Sequence, residues 1–144
     1  MSSRMCELCR KRPADMICIR CRRAVCSDCM TELWLCKECY TYREAIRMDR
    51  MRIVRYIEKL TEACSERARN RRCANCTILR EMLLSLYKML RDLMNEARVE
   101  YYEDVIESLE KIEPKLRRIL IRVLVIQGGL RLGKEDEESE ISLA

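Results

Sequence analysis

The chain has 144 residues, of which 37% are charged and 49% hydrophobic, and it contains no histidine. This length fits one or two domains, and the lack of histidine excludes every metal site with an imidazole ligand. No stretch approaches the roughly 18 uninterrupted apolar residues of a membrane-spanning helix, and no apolar run follows Met1, so we expect neither a membrane nor an exported protein.

The balance of residue types predicts a mainly helical body. The sequence has only three glycines and two prolines, and Leu, Ile, Met, Arg and Glu are abundant, which is typical of helices. It has one Gln and three Asn beside many charged residues. Few labile amides and many charges are typical of proteins from hot environments, so we expect a thermophilic source.

Four Cys-x-x-Cys pairs lie within the 34 residues from Cys6 to Cys39. Two thiolates held two residues apart on a tight turn, called a knuckle below, can bind one metal ion together. Two knuckles complete a tetrahedral site of four sulfurs. The four pairs therefore predict two sites whose ligands are cysteines only.

The lengths of chain between the knuckles indicate which of them share a metal. Consecutive pairing leaves eight and six residues between knuckles, and nested pairing closes the inner site over four. Interleaved pairing leaves 16 and 14 residues, close to the roughly 12 to 20 that two-knuckle zinc sites enclose. We therefore predict two Zn²⁺ sites, one formed by Cys6, Cys9, Cys26 and Cys29 and the other by Cys18, Cys21, Cys36 and Cys39.

The run CELCRKRPADMICIRCRRAVCSDC, followed by CKEC, resembles a B-box-type zinc finger. The resemblance covers residues 6–39, and Cys36 and Cys39 stand where that family usually has two histidines. It implies a cross-braced module with two zinc ions that mediates protein contacts. Only five residues precede Cys6, too few for a RING domain, so the resemblance does not imply ubiquitin ligase activity.

We expect the metal ions to stabilise the fold, because four thiolates per ion leave no open position for water or substrate. Closed sites replace the apolar core that so short a segment cannot build. Iron held by four cysteines is the alternative to zinc. A cysteine-based redox protein is an alternative function, which would need accessible thiols of low pKa.

Within this domain of residues 1–40, we expect a short hairpin at 16–25 and a helical turn at 27–33. Trp34 either contacts a partner or packs over the metal site or the next helix. Two basic clusters between the knuckles are either solvated charge that offsets the anionic metal sites or phosphate contacts. They are Arg10, Lys11 and Arg12, and Arg20, Arg22 and Arg23.

Residues 41–130 are predicted to form an all-α hairpin or bundle that resembles a coiled coil. The first helix, 41–68, carries a stripe of Ile46, Ile53 and Leu60, joined by Ile57 and Cys64. The second, 73–97, has apolar residues at alternating intervals of four and three, the seam of a coiled coil or helical hairpin. The seam is Leu79, Leu83, Leu86, Leu90, Leu93 and Ala97, widened by Met82, Met89 and Met94.

The turn at 65–72 is basic, with Arg67, Arg69, Arg71 and Arg72, and three cysteines flank it. Cys64, Cys73 and Cys76 are too few for a third site of four sulfurs. A disulfide from Cys64 to Cys73 or Cys76, buried free thiols, and a metal site completed by a partner are the alternatives.

Beyond the second helix we expect a third at 99–112, a break at Glu113–Pro114 and a further element at 116–126. Residues 116–126 suit a helix or a strand, and the helical spacing of Leu116, Ile119, Leu120, Val123 and Leu124 favours a helix. Gly128 and Gly129 are predicted to end it. Residues 131–144 form an acidic tail, with five carboxylates from Glu135 to Glu140, which we expect to be disordered.

The sequence offers no nucleophile–base pair, phosphate-binding glycine loop or open metal site, so we expect a binding protein rather than an enzyme. The formal net charge of +5 falls to about +1 with two Zn²⁺ ions, because each with four thiolates carries −2. Cysteines at metal-ligand spacing without an export signal indicate the cytoplasm. The closed metal sites, the near-neutral charge and the B-box resemblance favour an adaptor for a protein partner, with homodimerisation through the helical region as an additional expectation. The alternative is a nucleic-acid-associated factor, at the ribosome or a transcription complex, that uses the ten basic residues named above.

Overall fold

The computed structural model describes residues 4–138, with side chains up to Gly128. The chain divides into two compact units between Asp49 and Arg50. The sequence predicts a boundary after residue 40, at the start of the first helix. The boundary in the structure lies within that helix.

The first unit holds a minimal hairpin and the start of the first helix. Strands β1 (Met16–Ile17) and β2 (Ala24–Val25) are antiparallel, with Met16 opposite Val25. A single 3-10 turn, Ser27–Cys29, follows, shorter than the predicted helical turn. The buried residues of this unit are mostly cysteines, joined by Val25 and Leu35. So small an apolar core needs a further source of stability.

Helix α1 (Lys37–Ala68) begins inside the fourth knuckle. The carbonyl of Cys36 accepts the N–H of Tyr40 at 2.9 Å, which is the first hydrogen bond of the helix, so α1 starts four residues before the predicted position. In the second unit its buried residues are Val54, Ile57, Thr61, Cys64 and Ala68. Ile57 and Cys64 are thus buried as predicted, whereas Val54 and Thr61 take the places predicted for Ile53 and Leu60.

Ile46, predicted to face the core, is 38% exposed. Ile53 and Leu60 are half-buried at the edge of the core cluster. Val54 and Thr61 lie at the centre of the buried face of α1, so the row of Ile53 and Leu60 marks its edge.

A short helix α2 (Arg71–Ala74) follows a turn at which Asn70 accepts the N–H of Arg72 through its side chain. Helix α3 (Thr77–Glu100) then buries every residue of the predicted leucine seam. The seam packs in one cluster with residues of α1 and of the last helix. This confirms the helical bundle, in which the seam is buried within the chain's own core.

Helix α4 (Glu103–Glu138) is continuous where the sequence predicts two elements. Tyr101, with a left-handed φ of 58°, ends α3, so the third helix begins four residues later than expected. Pro114 lies inside α4, between Ile112 and Leu116, which are both buried. Packing on both sides of the proline outweighs the hydrogen bond that it cannot make.

The end of α4 also differs from the prediction. The helix passes through Gly128 and Gly129 and continues to Glu138, so residues 131–138 of the acidic tail are helical, and residues 139–144 lie outside the described part of the chain. The Gln127 side chain donates to the carbonyls of Ala74 and Cys76, both at 3.0 Å. Residues 116–126 are therefore helix, as the spacing favours. Within residues 4–138, none of the helices combines the length and apolar character that crossing a membrane requires.

Candidate metal centres

The knuckles are tight turns closed by backbone hydrogen bonds. The N–H of Arg10 donates to the carbonyl of Cys6 at 3.0 Å, and that of Arg22 to the carbonyl of Cys18 at 2.9 Å. Both arginines follow the second cysteine of their knuckle with left-handed φ values of 55° and 64°. Such turns bring the two sulfurs of a Cys-x-x-Cys pair to one side of the chain.

The eight sulfurs form two groups in the interleaved order that the loop lengths predict. The first group is Cys6, Cys9, Cys26 and Cys29, and the second group is Cys18, Cys21, Cys36 and Cys39; within each, all sulfurs lie within 4.8 Å of one another. The hairpin β1–β2 carries Cys18 and Cys21 between its strands, and the first turn of α1 carries Cys39. Each group could hold a metal ion.

The distances between sulfurs fit a tetrahedral metal. The sulfurs of Cys9 and Cys26 are 3.7 Å apart, and those of Cys21 and Cys36 are 3.8 Å apart. A tetrahedral ion with metal–sulfur bonds of about 2.3 Å separates its ligands by about 3.8 Å. One pair of sulfurs in each group thus stands at the spacing that a bound ion requires.

The electrostatics of the groups also suit a bound cation. Backbone N–H groups overcome the effect of burial and lower the pKa of Cys6 to about 6 and that of Cys18 to about 6. Burial and the neighbouring thiols raise the pKa of Cys29 to about 12 and that of Cys39 to about 12. Each group therefore combines a sulfur that ionises readily with one that keeps its proton at neutral pH. A divalent ion allows all four to be thiolates.

The second group has an additional partner that the sequence analysis missed. The Nε of Arg23 lies 3.2 Å from the sulfur of Cys21, its Nη2 lies 3.9 Å from that of Cys36, and its Nη1 bonds to Glu38 at 3.0 Å. Burial opposes ionisation of Cys21, but the hydrogen bond from Arg23 lowers its pKa. The sequence leaves Arg23 as either solvated charge that offsets the anionic metal sites or a phosphate contact, and only the fold reveals its hydrogen bonds to the sulfurs.

The remaining basic residues of the first unit lie on its surface. Arg10, Lys11, Arg12, Arg20 and Arg22 are exposed, and Arg12 forms an ion pair with Asp28. In the second unit Arg67, Arg69, Arg71 and Arg72 are exposed at the turn between α1 and α2, and Arg69 pairs with Glu66 at 3.2 Å. Some of this positive charge is thus offset within the chain.

Cys64, Cys73 and Cys76 are free thiols in the structure. The sulfur of Cys64 is buried in the helical core, 3.5 Å from the sulfur of Met82, while Cys73 and Cys76 are half-buried. Of the three alternatives, the disulfide from Cys64 to Cys73 or Cys76 is not formed, and Cys64 is a buried free thiol. Among residues 4–138, the groups of ligands that could hold a metal do not include these three.

Trp34 does not pack over a metal group. It is 58% exposed and has a left-handed φ of 60°, in a tight loop where the Thr31 hydroxyl donates to the Leu35 carbonyl at 2.8 Å. A bulky residue rarely adopts this backbone conformation. Of the two alternatives weighed for Trp34, the structure therefore supports the exposed one.

No family model matches the chain, and the searches against curated proteins and solved structures likewise found no match.

Proposed function

We propose that the chain is a non-enzymatic zinc-binding adaptor whose first unit presents an apolar surface to a protein partner. The observation that carries the proposal is the exposure of Trp34 with three aliphatic residues near it. These four, called the Trp34 surface below, are Ile17, Ile19, Leu33 and Trp34, which are 59%, 58%, 43% and 58% exposed.

The backbone brings these residues together. Ile17 and Ile19 flank the fully buried Cys18, so the alternation of side chains along an extended segment places both on the outer face. The N–H of Ile19 donates to the carbonyl of Trp34 at 3.1 Å, which joins the two loops. Clustered exposed apolar residues of this size are typical of interaction sites.

The chemistry of the metal groups supports zinc as the ion and a structural role for it. A set of four thiolates with tetrahedral spacing suits Zn²⁺, and it leaves no position for substrate. Iron in the same ligand set is the alternative. Elemental analysis of the purified chain tests this, with two zinc ions per chain expected and iron at that stoichiometry contradicting it.

The interleaved order of ligands also supports the resemblance of residues 6–39 to a B-box-type module. In this proposal the module serves as a protein-binding element, and the two metal ions hold the loops that carry the Trp34 surface. The partner that fits is a segment with apolar side chains and acidic neighbours, because Arg20 and Arg22 follow Ile19 and are exposed. Opposite charges around an apolar contact raise the association rate and favour one partner over others.

A capture experiment with variants of the metal-loaded chain tests the adaptor function. Cell extract is treated with nuclease, and captured proteins are identified, purified and bound again to the chain. We expect the double variant Ile19→Ser, Trp34→Ala to lose a defined partner that the wild type retains. The matched control is Ile78→Ser, which alters a residue that is 68% exposed in the second unit. Equal capture by wild type and double variant would contradict the proposal.

Nucleic-acid binding is the second candidate, supported by the exposure of the basic residues on both units. Phosphate contacts release counterions, so such binding must weaken by orders of magnitude between low and moderate salt. Fluorescence anisotropy with a labelled single-stranded RNA measures this slope. Loss of binding in the variant with Arg10, Lys11 and Arg22 changed to Ser, with the Trp34 double variant unaffected, would favour this candidate over the adaptor.

A further inference from the structure

Arg23 joins two knuckles of the second group. Its guanidinium reaches Cys21 on one knuckle and Cys36 on the other, and it also binds Glu38, which lies between Cys36 and Cys39 in the first turn of α1. The same side chain therefore contacts two of the four ligands and the helix that carries a third.

The backbone around Arg23 holds this side chain in place. Its carbonyl accepts the N–H of Cys18 at 3.0 Å, and the next residue, Ala24, begins β2. The Arg23 side chain is 32% exposed, so it lies partly in the surface of the unit. The hydrogen bond from Cys18 and the start of β2 fix the backbone at Arg23. The ion pair with Glu38 then holds the guanidinium beside the sulfurs.

The two groups are otherwise closely matched. Both have three buried cysteines and one half-buried, in the same order. The N–H of Cys9 lies 3.5 Å from the sulfur of Cys6 in the first group, and the N–H of Cys39 lies 3.5 Å from the sulfur of Cys36 in the second. An arginine also pairs with the carboxylate inside one knuckle of each group, Arg12 with Asp28 and Arg23 with Glu38. The difference that carries the argument is that the Arg23 guanidinium also bonds directly to the sulfurs of the second group.

A guanidinium in this position stabilises a metal bound by four thiolates. Such a complex carries a net charge of −2, and arginine stays positively charged at any ordinary pH. Its N–H donors engage the lone pairs through which a bound thiolate takes up a proton or attacks an electrophile. Residues that hold metal ligands in this way typically contribute 10- to 100-fold in metal affinity.

We propose that Arg23 is an outer-sphere residue of the second metal site and makes it the site that retains its metal longer. The first group, Cys6, Cys9, Cys26 and Cys29, is then the exchangeable one. This inference depends on the metal groups and applies to zinc or iron, whether or not the adaptor function is correct.

The order of metal loss is measured on the full chain loaded with two equivalents of Zn²⁺. N-ethylmaleimide is added in excess, released zinc is followed with a chromogenic chelator, and samples are quenched for mass spectrometry to identify the alkylated cysteines. For the wild type we expect two phases, with the first group alkylated as the first zinc leaves and the second group later. Simultaneous alkylation of both groups, or the reverse order, would overturn the proposal.

Three variants test whether Arg23 causes this order of metal loss. Arg23→Met removes the charge and the donors, and we expect it to accelerate the second phase 10- to 100-fold and leave the first phase unchanged. Arg23→Lys keeps the charge but not the planar set of donors, and we expect an intermediate rate. Arg69→Met is the control, because it removes an exposed arginine whose ion pair is with Glu66 in the second unit, and it should match the wild type.

Cobalt spectroscopy separates an effect on the sulfurs from a general loosening of the unit. Loss of the hydrogen bonds makes the thiolates better electron donors, so the sulfur-to-cobalt charge-transfer band of Co²⁺-loaded Arg23→Met should move to longer wavelength. An unchanged band, or acceleration of both phases together, would show that Arg23 only supports the fold and would refute the proposal.

Discussion

Replacing Pro114 with alanine should stabilise the helical unit, although most single substitutions destabilise a protein. Proline has no N–H to donate to the carbonyl of Glu110, and in a helix interior it costs about 3 kcal/mol relative to alanine. Alanine also allows the unfolded chain more freedom, which offsets about 0.4–1 kcal/mol of that gain. The net expectation is an increase of about 2 kcal/mol in the free energy of unfolding.

This value predicts a large change in melting temperature. For a domain of 60–100 residues, 1 kcal/mol corresponds to about 4–8 °C, so Pro114→Ala should raise the Tm of the helical transition by about 8–16 °C. Circular dichroism at 222 nm on the metal-loaded chain measures it, and urea unfolding gives the free energy. Lys111→Ala is the matched control on the same helix, because the Lys111 side chain is 75% exposed, and it should change stability by less than about 0.5 kcal/mol.

The result also tests whether α4 is continuous. If the chain breaks at Glu113–Pro114, as the sequence alone predicts, proline suits the local backbone. Its replacement would then be neutral or destabilising. A Tm that is equal to or below that of the wild type would therefore refute the argument from a continuous helix.

Three further predictions concern the two cores. Cys29→Ser should lower the bound zinc from two ions per chain to one, because a site of three thiolates holds Zn²⁺ far less tightly; elemental analysis after dialysis measures this, and retention of two ions would contradict the ligand assignment. Leu90→Ala should lower the free energy of unfolding by about 2–5 kcal/mol in a urea titration, since Leu90 is fully buried. Its control is Met89→Ala, at a residue 38% exposed, which should cost less than about 1 kcal/mol. At pH 7.5, metal binding should release at least one proton per site but fewer than eight in all, because Cys29 and Cys39 have a pKa of about 12 while Cys6 has one of about 6. Calorimetry in buffers of different ionisation enthalpy counts these protons, and affinity should fall as the pH is lowered, since protons compete with the metal for the sulfurs.

The sequence was sufficient to group the eight cysteines, because spacing alone decides this grouping. A Cys-x-x-Cys knuckle holds its own two sulfurs together, and the chain between two knuckles must be long enough to turn back. The leucine seam of α3 was predictable for a similar reason, since six apolar residues at alternating intervals of four and three form one face of a helix whatever packs against it.

Other features depend on what surrounds a residue in space, and the sequence could not decide them. Pro114 breaks a helix by local rules, but Ile112 and Leu116 are buried on both sides of it, and their burial favours continuation. The sequence does not distinguish Arg23 from the other basic residues between the knuckles. The fold places its side chain beside Cys21 and Cys36.

Trp34 shows the same limit for an apolar residue. A hydrophobic side chain at this position suits either burial or contact with a partner. Only the fold, in which Thr31 closes the loop by bonding to Leu35, leaves Trp34 58% exposed. The sequence therefore determined the contacts set by spacing along the chain, namely the two metal groups and the face of α3. The tertiary structure decided those set by distant neighbours, because the burial or charge pairing of one residue depends on side chains brought to it by the rest of the fold.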